Sequence, residues 1–336
     1  MNRHISASLR ATRRATIAII VGACAGLVAA PAAAQIEVKL GHVGEPGSLF
    51  QKSADEFAKR ANAKPAGKAK VIVYGSSQLG GDKEMIQKLK LGTLDMALPS
   101  TVMSSEVDIA GLFEMPYIVK DRAHMARIEK AIFWPTIEPA IEKKGLEVLA
   151  LWENGFRQIT NNKRPIKVPA DLEGIKLRVP EGKWRVRMFK AYGANPSPMK
   201  FSELFTALQT GVMDGEENPL TQIYSAKLQE VQKYLSMSGH VYTPAYLTVG
   251  TKHWETLPAD VRKVLEDTAK ETQAFVYQVA AHDDEALLGK LKQPGMQVND
   301  VDQDAFVTAS TPTYEEFSKE VPGAEDPIDR PPRLRQ

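Results

Sequence analysis

The chain has 336 residues, of which 43% are hydrophobic and 25% are charged, with 23 glycines and 21 prolines. This composition is that of an ordinary globular protein, and it excludes a collagen, a disordered tail protein and a polytopic membrane protein. The formal net charge is +2, but residues 1–34 hold four arginines and no acidic residue, which leaves 39 basic against 41 acidic residues in the remainder. The remainder therefore lacks the basic surface that binds a nucleic-acid backbone.

The first 34 residues have the pattern of an export signal. A basic stretch over residues 3–14 precedes an apolar, uncharged stretch over 15–28, and small residues at 32–34 predict cleavage before Gln35. Glycines and a proline interrupt the apolar stretch, which disfavours a membrane anchor. An adjacent pair of arginines leaves twin-arginine export open beside the general route, and Cys24 loosely matches a lipoprotein site. We expect a cleaved signal peptide, a periplasmic location and a mature chain without cysteine.

Strand-like and helix-like patterns alternate in the first part of the remaining chain. The strands show alternating or β-branched apolar residues, and the helices show apolar residues at helical spacing. The predicted order is strand 36–40, helix 48–61, strand 69–74, helix 82–91 and strand 94–98. Such an alternation is typical of an α/β fold with a mostly parallel sheet.

A helix over residues 121–144, interrupted by Pro135 and Pro139, follows this first part. The next predicted elements are a strand at 146–152, an extended segment at 156–160, a connector at 163–169, a strand at 175–179, helices at 183–191 and 201–210, and a strand near 240–249. The same alternation therefore returns after about residue 155 and predicts a second α/β lobe.

Residues 258–292 have apolar side chains at the i, i+3, i+4, i+7 spacing of one long helix. Pro258 suits the first turn, and a Pro–Gly pair ends the pattern. At 1.5 Å per residue this helix would be about 50 Å long, which exceeds one small lobe, so we expect it to contact both lobes. A kinked pair of helices is the alternative. The tail at residues 321–336 is rich in proline and charge and is expected to be disordered.

The sequence contains no recognisable catalytic or metal-binding motif. Neither G-x-S-x-G nor a P-loop occurs, the six histidines lack metal-site spacing, and residues 300–311 fail the calcium-loop pattern. Asp214, Glu216 and Glu217 are interpreted as a solvated or hinge-bound turn, because a catalytic carboxylate pair must flank its substrate. We therefore expect no cofactor, no metal and no enzyme activity.

Two arginines are candidate ligand-binding residues. Arg157 and Arg178 each lie where a predicted strand meets a loop, and open α/β sheets bind ligands at such positions. The planar guanidinium group can donate two parallel hydrogen bonds to a carboxylate. Because most arginines are exposed, composition alone would leave both at the surface.

Six spaced segments give the sequence a family resemblance. They lie at residues 40–42, 76–81, 91–96, 154–157, 172–180 and 198–219. In this order and spacing the chain resembles, from about residue 36 to 317, the extracytoplasmic solute-binding proteins of tripartite ATP-independent periplasmic (TRAP) transporters, the DctP family. The resemblance implies a two-lobed α/β fold of the periplasmic-binding-protein type, with a mixed, mostly parallel sheet and flanking helices in each lobe and a long helix bridging them. We expect lobe I at residues 35–154 and 244–283 and lobe II at residues 155–243 and 284–320.

The resemblance also implies ligand-binding residues. The family's selectivity arginine falls on Arg178, which is expected to form a bidentate salt bridge with a ligand carboxylate, and a second basic contact falls on Arg157. The family's asparagine falls on Asn218, and an aromatic wall falls on Phe201. The chain departs from the family pattern by having Glu216 where glutamine is common.

Further candidate contacts rest on position alone. They are Trp184, Tyr242, Glu45, Ser100 and Thr101. The two aromatic residues among them fit a core position as well as a cleft wall. Val43 stands where some relatives place a polar contact, so the contacts of lobe I are less well defined than those of lobe II.

The resemblance implies capture of a small organic acid between two closing lobes and its delivery to the membrane subunits of a TRAP transporter. We expect a monomer that binds no nucleic acid. Two alternatives stay open, namely a receptor for an ATP-driven permease or a sensor, and a periplasmic enzyme. The sequence does not specify the ligand, because dicarboxylates, 2-oxo acids, sugar acids and aromatic acids all present a carboxylate to Arg178.

Overall fold

The computed structural model describes residues 35–64 and 69–324, together with residues 327, 329 and 331. The leader at residues 1–34 lies outside these residues, so the signal peptide stays a prediction. The described strands are β1 (Ile36–Gly41), β2 (Ala69–Tyr74), β3 (Met96–Ala97), β4 (Leu146–Asn161), β5 (Lys176–Val179), β6 (Asn195–Pro198), β7 (Gly215–Pro219), β8 (Tyr234–Met237), β9 (Tyr242–Gly250) and β10 (Gln297–Asp300).

Helices separate most of these strands. The α-helices are α1 (Leu49–Ala63), α2 (Asp82–Leu91), α3 (Met103–Glu106), α4 (Arg122–Ile128), α5 (Glu138–Glu142), α6 (Lys183–Ala191), α7 (Phe201–Gln209), α8 (Leu220–Ser225), α9 (Thr251–Trp254), α10 (Ala259–Lys292), α11 (Gln303–Ala309) and α12 (Thr311–Glu320). Short 3₁₀ helices lie at Asp108–Glu114, Pro169–Leu172 and Leu228–Glu230, and a π-helix at Glu129–Ile137 joins α4 to α5. No described helix is long and apolar enough to cross a membrane.

The strands form a mixed sheet in the order β2-β1-β3-β9-β4-β7-β5-β6, and β8 and β10 extend it beside β4. Strands β1, β2 and β3 are parallel to one another, and so are β5, β6 and β7. Strands β9 and β4 pair antiparallel with each other and with the parallel group on either side. The prediction of an α/β fold with mixed, largely parallel sheets and flanking helices is confirmed.

Strand β4 is continuous over 16 residues and takes part in both groups of strands. Its first part pairs with β9, and its last part pairs with β7 and β8. The register shifts between Glu153 and Gly155, and Gly155 has a φ of +125°, a conformation that residues with a Cβ atom rarely adopt. The residues predicted to be extended at 156–160 are therefore the second half of one long strand.

The long helix α10 spans 34 residues without interruption, so the alternative of two kinked helices is wrong. Its middle turns, at Val276 and Ala280, pack in the large hydrophobic cluster that also contains β1 and β9 residues. Its last turns, at Leu287 and Leu291, pack in a separate cluster with α7 and α8. The helix thus contacts two cores, as expected. The exact lobe boundaries stay a prediction.

Several local predictions are wrong. The expected strand at 94–98 is reduced to β3, because only two residues pair with β1 and β9. Pro135 does not break its helix, because a π-helix accommodates the residue that lacks an N–H donor. The acidic residues at 214–217 do not form a solvated turn, since Glu216 and Glu217 lie fully buried in β7.

The expected disorder of the tail is wrong for its described residues. Val321 and Ala324 are buried in the large cluster. Further along, the carbonyl oxygen of Pro331 lies 2.6 Å from His124 Nε2. Residues 325, 326, 328, 330 and 332–336 lie outside the described part of the chain.

Candidate functional site

A small cavity of about 40 Å³ is lined by residues of α1, α2, α7, α8, β4, β5 and β7 and of the segments that follow β1 and β5 and precede α3. Its walls are Val43, Phe50, Asp82, Ser100, Thr101, Asn154, Arg157, Arg178, Pro180, Phe201, Asn218 and Gln222. The cavity therefore brings together four of the six principal candidates from the sequence, Arg178, Arg157, Asn218 and Phe201. It also includes Ser100 and Thr101, which belong to the expected lobe I.

Arg178 is buried near the end of β5, with only 3% of its surface exposed. Its Nε and Nη2 atoms both donate hydrogen bonds to the carbonyl oxygen of Met199, at 3.0 and 2.6 Å. The guanidinium also lies 6.0 Å from the centre of the Phe201 ring. Among the described residues no carboxylate oxygen lies within 4.0 Å of it. Arg178 is thus held in place but has no direct ion-pair partner.

The electrostatic environment of Arg178 is unfavourable for its charge. Burial, together with the positive charge of nearby Arg157, lowers the pKa of Arg178 to about 10. Burial also raises the pKa of Asp82 to about 7, and the Arg178 charge only partly opposes this rise. A buried cation without a close counter-ion costs several kcal/mol. The cavity is therefore suited to an anion.

Arg157 lies on β4 and is held by residues of the neighbouring strand β7. Its Nε donates to Glu217 Oε2 at 2.5 Å, and its Nη2 donates to the Glu217 carbonyl oxygen at 2.5 Å, to Glu217 Oε1 at 3.1 Å and to Asn218 Oδ1 at 3.0 Å. Both residues are almost fully buried. These bonds fix the orientation of the guanidinium at the wall of the cavity.

Glu217 connects Arg157 to a larger buried network. Arg185 Nη1 lies 2.6 Å and His240 Nε2 lies 3.1 Å from the same Glu217 oxygen, and Arg185 Nη2 donates to Glu114 at 2.8 Å. Burial alone would raise the pKa of Glu217, but Arg157 and Arg185 hold that pKa well below its usual range. Burial lowers the pKa of His240 to about 4, so the imidazole is neutral at pH 7.

A chain of hydrogen bonds runs along one side of the cavity toward β9. Gln222 Nε2 donates to Asn154 Oδ1 at 3.4 Å, Asn154 Nδ2 donates to Ser100 Oγ at 3.2 Å, and Ser100 Oγ donates to the Pro244 carbonyl oxygen at 2.6 Å. On the other side, Asn218 Nδ2 donates to Glu216 Oε2 at 2.5 Å. The two asparagine side chains are therefore positioned before any ligand arrives.

The remaining candidates from the sequence do not line this cavity. Trp184 packs edge-on against Phe317 in the core, with a ring separation of 5.1 Å. Tyr242 packs against Phe156, and its hydroxyl donates to Glu153 at 3.3 Å. Glu45 accepts a hydrogen bond from Ser76 at a separate position. For the two aromatic residues, the core alternative stated from the sequence describes the observed positions.

Sequence reasoning missed Asp82, Phe50 and Gln222 as cavity residues. Asp82 is the first residue of α2, directly after Gly81, whose backbone N–H is capped by Glu84 Oε2 at 2.8 Å. The run of serine and glycine before this helix was recognisable in the sequence, but which side chain would face a distant strand was not. The described residues contain no cluster of side chains that could hold a metal ion.

Fold and site together describe a receptor of the two-lobed α/β type, with a buried cavity lined by two arginines. The model of the family "DctP: Bacterial extracellular solute-binding protein, family 7" matches residues 40–320. The chain belongs to this family, which consists of periplasmic solute-binding receptors of TRAP transporters and is not a family of enzymes.

Individual relatives agree with this assignment. The chain is 34% identical over 323 residues to the C4-dicarboxylate-binding periplasmic protein DctP of Rhodobacter capsulatus, covering 94% of this chain and 96% of that protein. A TRAP solute-binding protein from Polaromonas sp. JS666, bound to D-erythronate, is similar at TM-score 0.85 and 34% identity, covering 90% of this chain and 100% of that one. A TRAP solute-binding protein from Sulfurospirillum deleyianum DSM 6946, with bound succinate, is also similar at TM-score 0.85 and 34% identity. This match covers 90% of this chain and 99% of that one.

Proposed function

We propose that this protein captures a small organic acid in the periplasm by binding the carboxylate of the ligand to Arg178. The observation that carries this proposal is a buried guanidinium that lines a cavity, lies near a second buried arginine and has no carboxylate within 4.0 Å among the described residues. A bound carboxylate would supply the missing counter-charge. Relatives with bound succinate and D-erythronate support the choice of an organic acid.

The orientation of Arg178 supports a two-point contact with the ligand. The Met199 carbonyl oxygen engages the edge of the guanidinium formed by Nε and Nη2. The opposite edge, formed by Nη1 and the second hydrogen of Nη2, is then left for a carboxylate. Paired, charge-assisted hydrogen bonds of this kind offset the loss of hydration that the carboxylate suffers on entering a dry cavity. Arg157 and Asn218 would contact the same ligand from β4 and β7.

Opening and closing of the lobes would admit and enclose the ligand. The cavity has room for only a few water molecules, so an acid of four or more carbons requires the walls to move apart. Groups of the two expected lobes meet at its rim, where Lys200 Nζ lies 2.6 Å from Glu84 Oε1 and Ser105 Oγ donates to the Glu181 carbonyl oxygen at 3.2 Å. We place the hinge at residues 154–156 and 242–245, where β4 and β9 cross between the two groups of strands.

The remaining parts of the proposal concern export and partners. The leader at residues 1–34 would be removed on export, and the closed protein, as a monomer, would deliver its ligand to the membrane subunits of a TRAP transporter. Because the cavity holds no nucleophile paired with a base, we propose that the ligand is released chemically unchanged.

The proposal is tested in two steps with the purified protein. A thermal-shift screen against an organic-acid library identifies stabilising ligands, since binding to the native state raises the melting temperature. Calorimetry of the best acid with the wild type and the Arg178→Ala variant then tests the contact. We expect tight binding to the wild type and loss of binding in the variant, with the acid recovered intact by mass spectrometry. Absence of any acid that binds, or equal affinity of the variant, would overturn the proposal.

A further inference from the structure

The cavity contains three buried oxygen atoms that have no hydrogen-bond partner in the described part of the chain. They are Asp82 Oδ1, Thr101 Oγ1 and Gln222 Oε1. Thr101 and Gln222 are more than nine-tenths buried. A buried acceptor without a donor costs about 1–3 kcal/mol, so three such atoms in one small cavity call for hydrogen-bond donors in the ligand.

The hydrogen-bond chain beside the cavity fixes which atom Gln222 presents. The Pro244 carbonyl oxygen can only accept, so Ser100 must donate to it and must therefore accept from Asn154 Nδ2. Asn154 then presents its Oδ1 acceptor to Gln222, so Gln222 must donate from its Nε2. The Gln222 amide cannot be reversed without breaking this order, and its Oε1 is left as an acceptor at the cavity wall.

The three oxygens come from three different parts of the cavity wall. Asp82 begins α2 and Thr101 precedes α3, whereas Gln222 lies on α8. Of the three, an ionised carboxylate and an amide oxygen can only accept, and a threonine hydroxyl can accept as well as donate. Arg178 and Arg157, which line the same cavity, offer N–H donors. The cavity thus combines N–H donors for a carboxylate with acceptors for groups that carry hydrogen.

From this combination of donors and unpartnered acceptors we infer that the ligand is a hydroxy acid, with one carboxylate at Arg178 and hydroxyl groups that donate to Asp82 and Gln222. The inference rests on the proposed function and narrows it. An ionised dicarboxylate has four acceptor oxygens and no donor, so its second carboxylate would leave both acceptors unsatisfied and would face the charge of Asp82. Similarity alone does not decide between a dicarboxylate and a hydroxy acid, because relatives of equal similarity hold succinate and D-erythronate.

Acids of matched chain length test the inference. Calorimetry at pH 8, where the Asp82 carboxyl is mostly ionised, would compare erythronate with succinate, ribonate with glutarate and gluconate with adipate. We expect at least one hydroxy acid to bind ten times more tightly than its dicarboxylate partner, or better. Equal or tighter binding of the dicarboxylate in every pair would overturn the inference, and so would failure of all three hydroxy acids to bind.

Asp82→Asn is the matching variant, because it keeps the shape and removes the charge. It should lower the affinity for the hydroxy acid about ten- to hundredfold, the range for a hydrogen bond to a charged group. The affinity for the dicarboxylate should stay the same or rise. Asp108→Asn, the same change at a side chain that is 65% exposed, is the control and should alter neither of the two affinities. Equal weakening of both acids, or no weakening of the hydroxy acid, would refute the role of Asp82. The proposed function would survive these outcomes, because it fails only if no acid binds or if Arg178 is dispensable.

Discussion

Replacement of Arg178 by alanine should abolish most of the ligand affinity without unfolding the protein. In the complex, the variant would leave a buried carboxylate without its partner, which typically costs about 3–5 kcal/mol. This corresponds to a loss of affinity of about a hundredfold to a few thousandfold. The free protein should suffer less, because Arg178 donates only to the Met199 carbonyl oxygen and has no close carboxylate within the described residues.

Calorimetry and thermal denaturation together measure this prediction. We expect the ligand to raise the melting temperature of the wild type but not of Arg178→Ala, while the two melting temperatures without ligand stay close. Arg178→Lys should recover only part of the affinity, because an ammonium group cannot present two parallel donors to a carboxylate. Arg164→Ala, at an exposed arginine outside the cavity, is the control. Unchanged ligand affinity in Arg178→Ala would refute the reasoning.

Three further predictions concern the buried framework of the site. Glu217→Gln should lower the free energy of unfolding by about 3–5 kcal/mol and weaken binding, because Arg157 and Arg185 lose their shared counter-ion; a urea titration that finds less than 1 kcal/mol would contradict this. Burial raises the pKa of Glu216 to about 7 from 4.5, so its ionisation destabilises the native state: the stability that it contributes below pH 4.5 is lost as the pH rises through 7, a loss on the order of 3 kcal/mol. Glu216→Gln should therefore melt higher than the wild type at pH 8 but not at pH 4.5, and equal differences at both pH values would refute the assignment. Gly155→Ala should destabilise by about 1–3 kcal/mol, because alanine at a φ of +125° is strained and its Cβ would lie 3.3 Å from Pro219; a melting temperature equal to that of the wild type would show that the strand tolerates the change.

Elements with a strong local pattern could be predicted from the sequence. The apolar spacing over residues 258–292 is that of α10, and the β-branched run at 69–74 is β2. The length of strand β3 was overestimated. It depends on how many residues pair with β1 and β9, and local sequence does not specify that number. The acidic residues of β7 were misinterpreted for a related reason, since buried arginines from β4 and α6 neutralise Glu217.

The residues of the site also divide into those that local sequence indicates and those that only tertiary contacts bring to the cavity. Arg178 and Arg157 could be proposed because each was expected where a strand meets a loop and matches a family segment, although Arg157 in fact lies within β4. Asp82 and Gln222 could not, because Asp82 lies 96 residues before Arg178 and Gln222 lies 44 residues after it, and only the tertiary fold brings their oxygens to one cavity. Trp184 gave no sequence signal that separates a core aromatic residue from a cleft wall, and burial decides in favour of the core.

The most direct measurement is a crystal structure of the protein with the acid that stabilises it most in the thermal-shift screen. The account predicts the ligand carboxylate within about 2.7–2.9 Å of the Arg178 guanidinium, between lobes closed around it. A carboxylate bound elsewhere, with Arg178 still engaged only by Met199, would contradict the central claim.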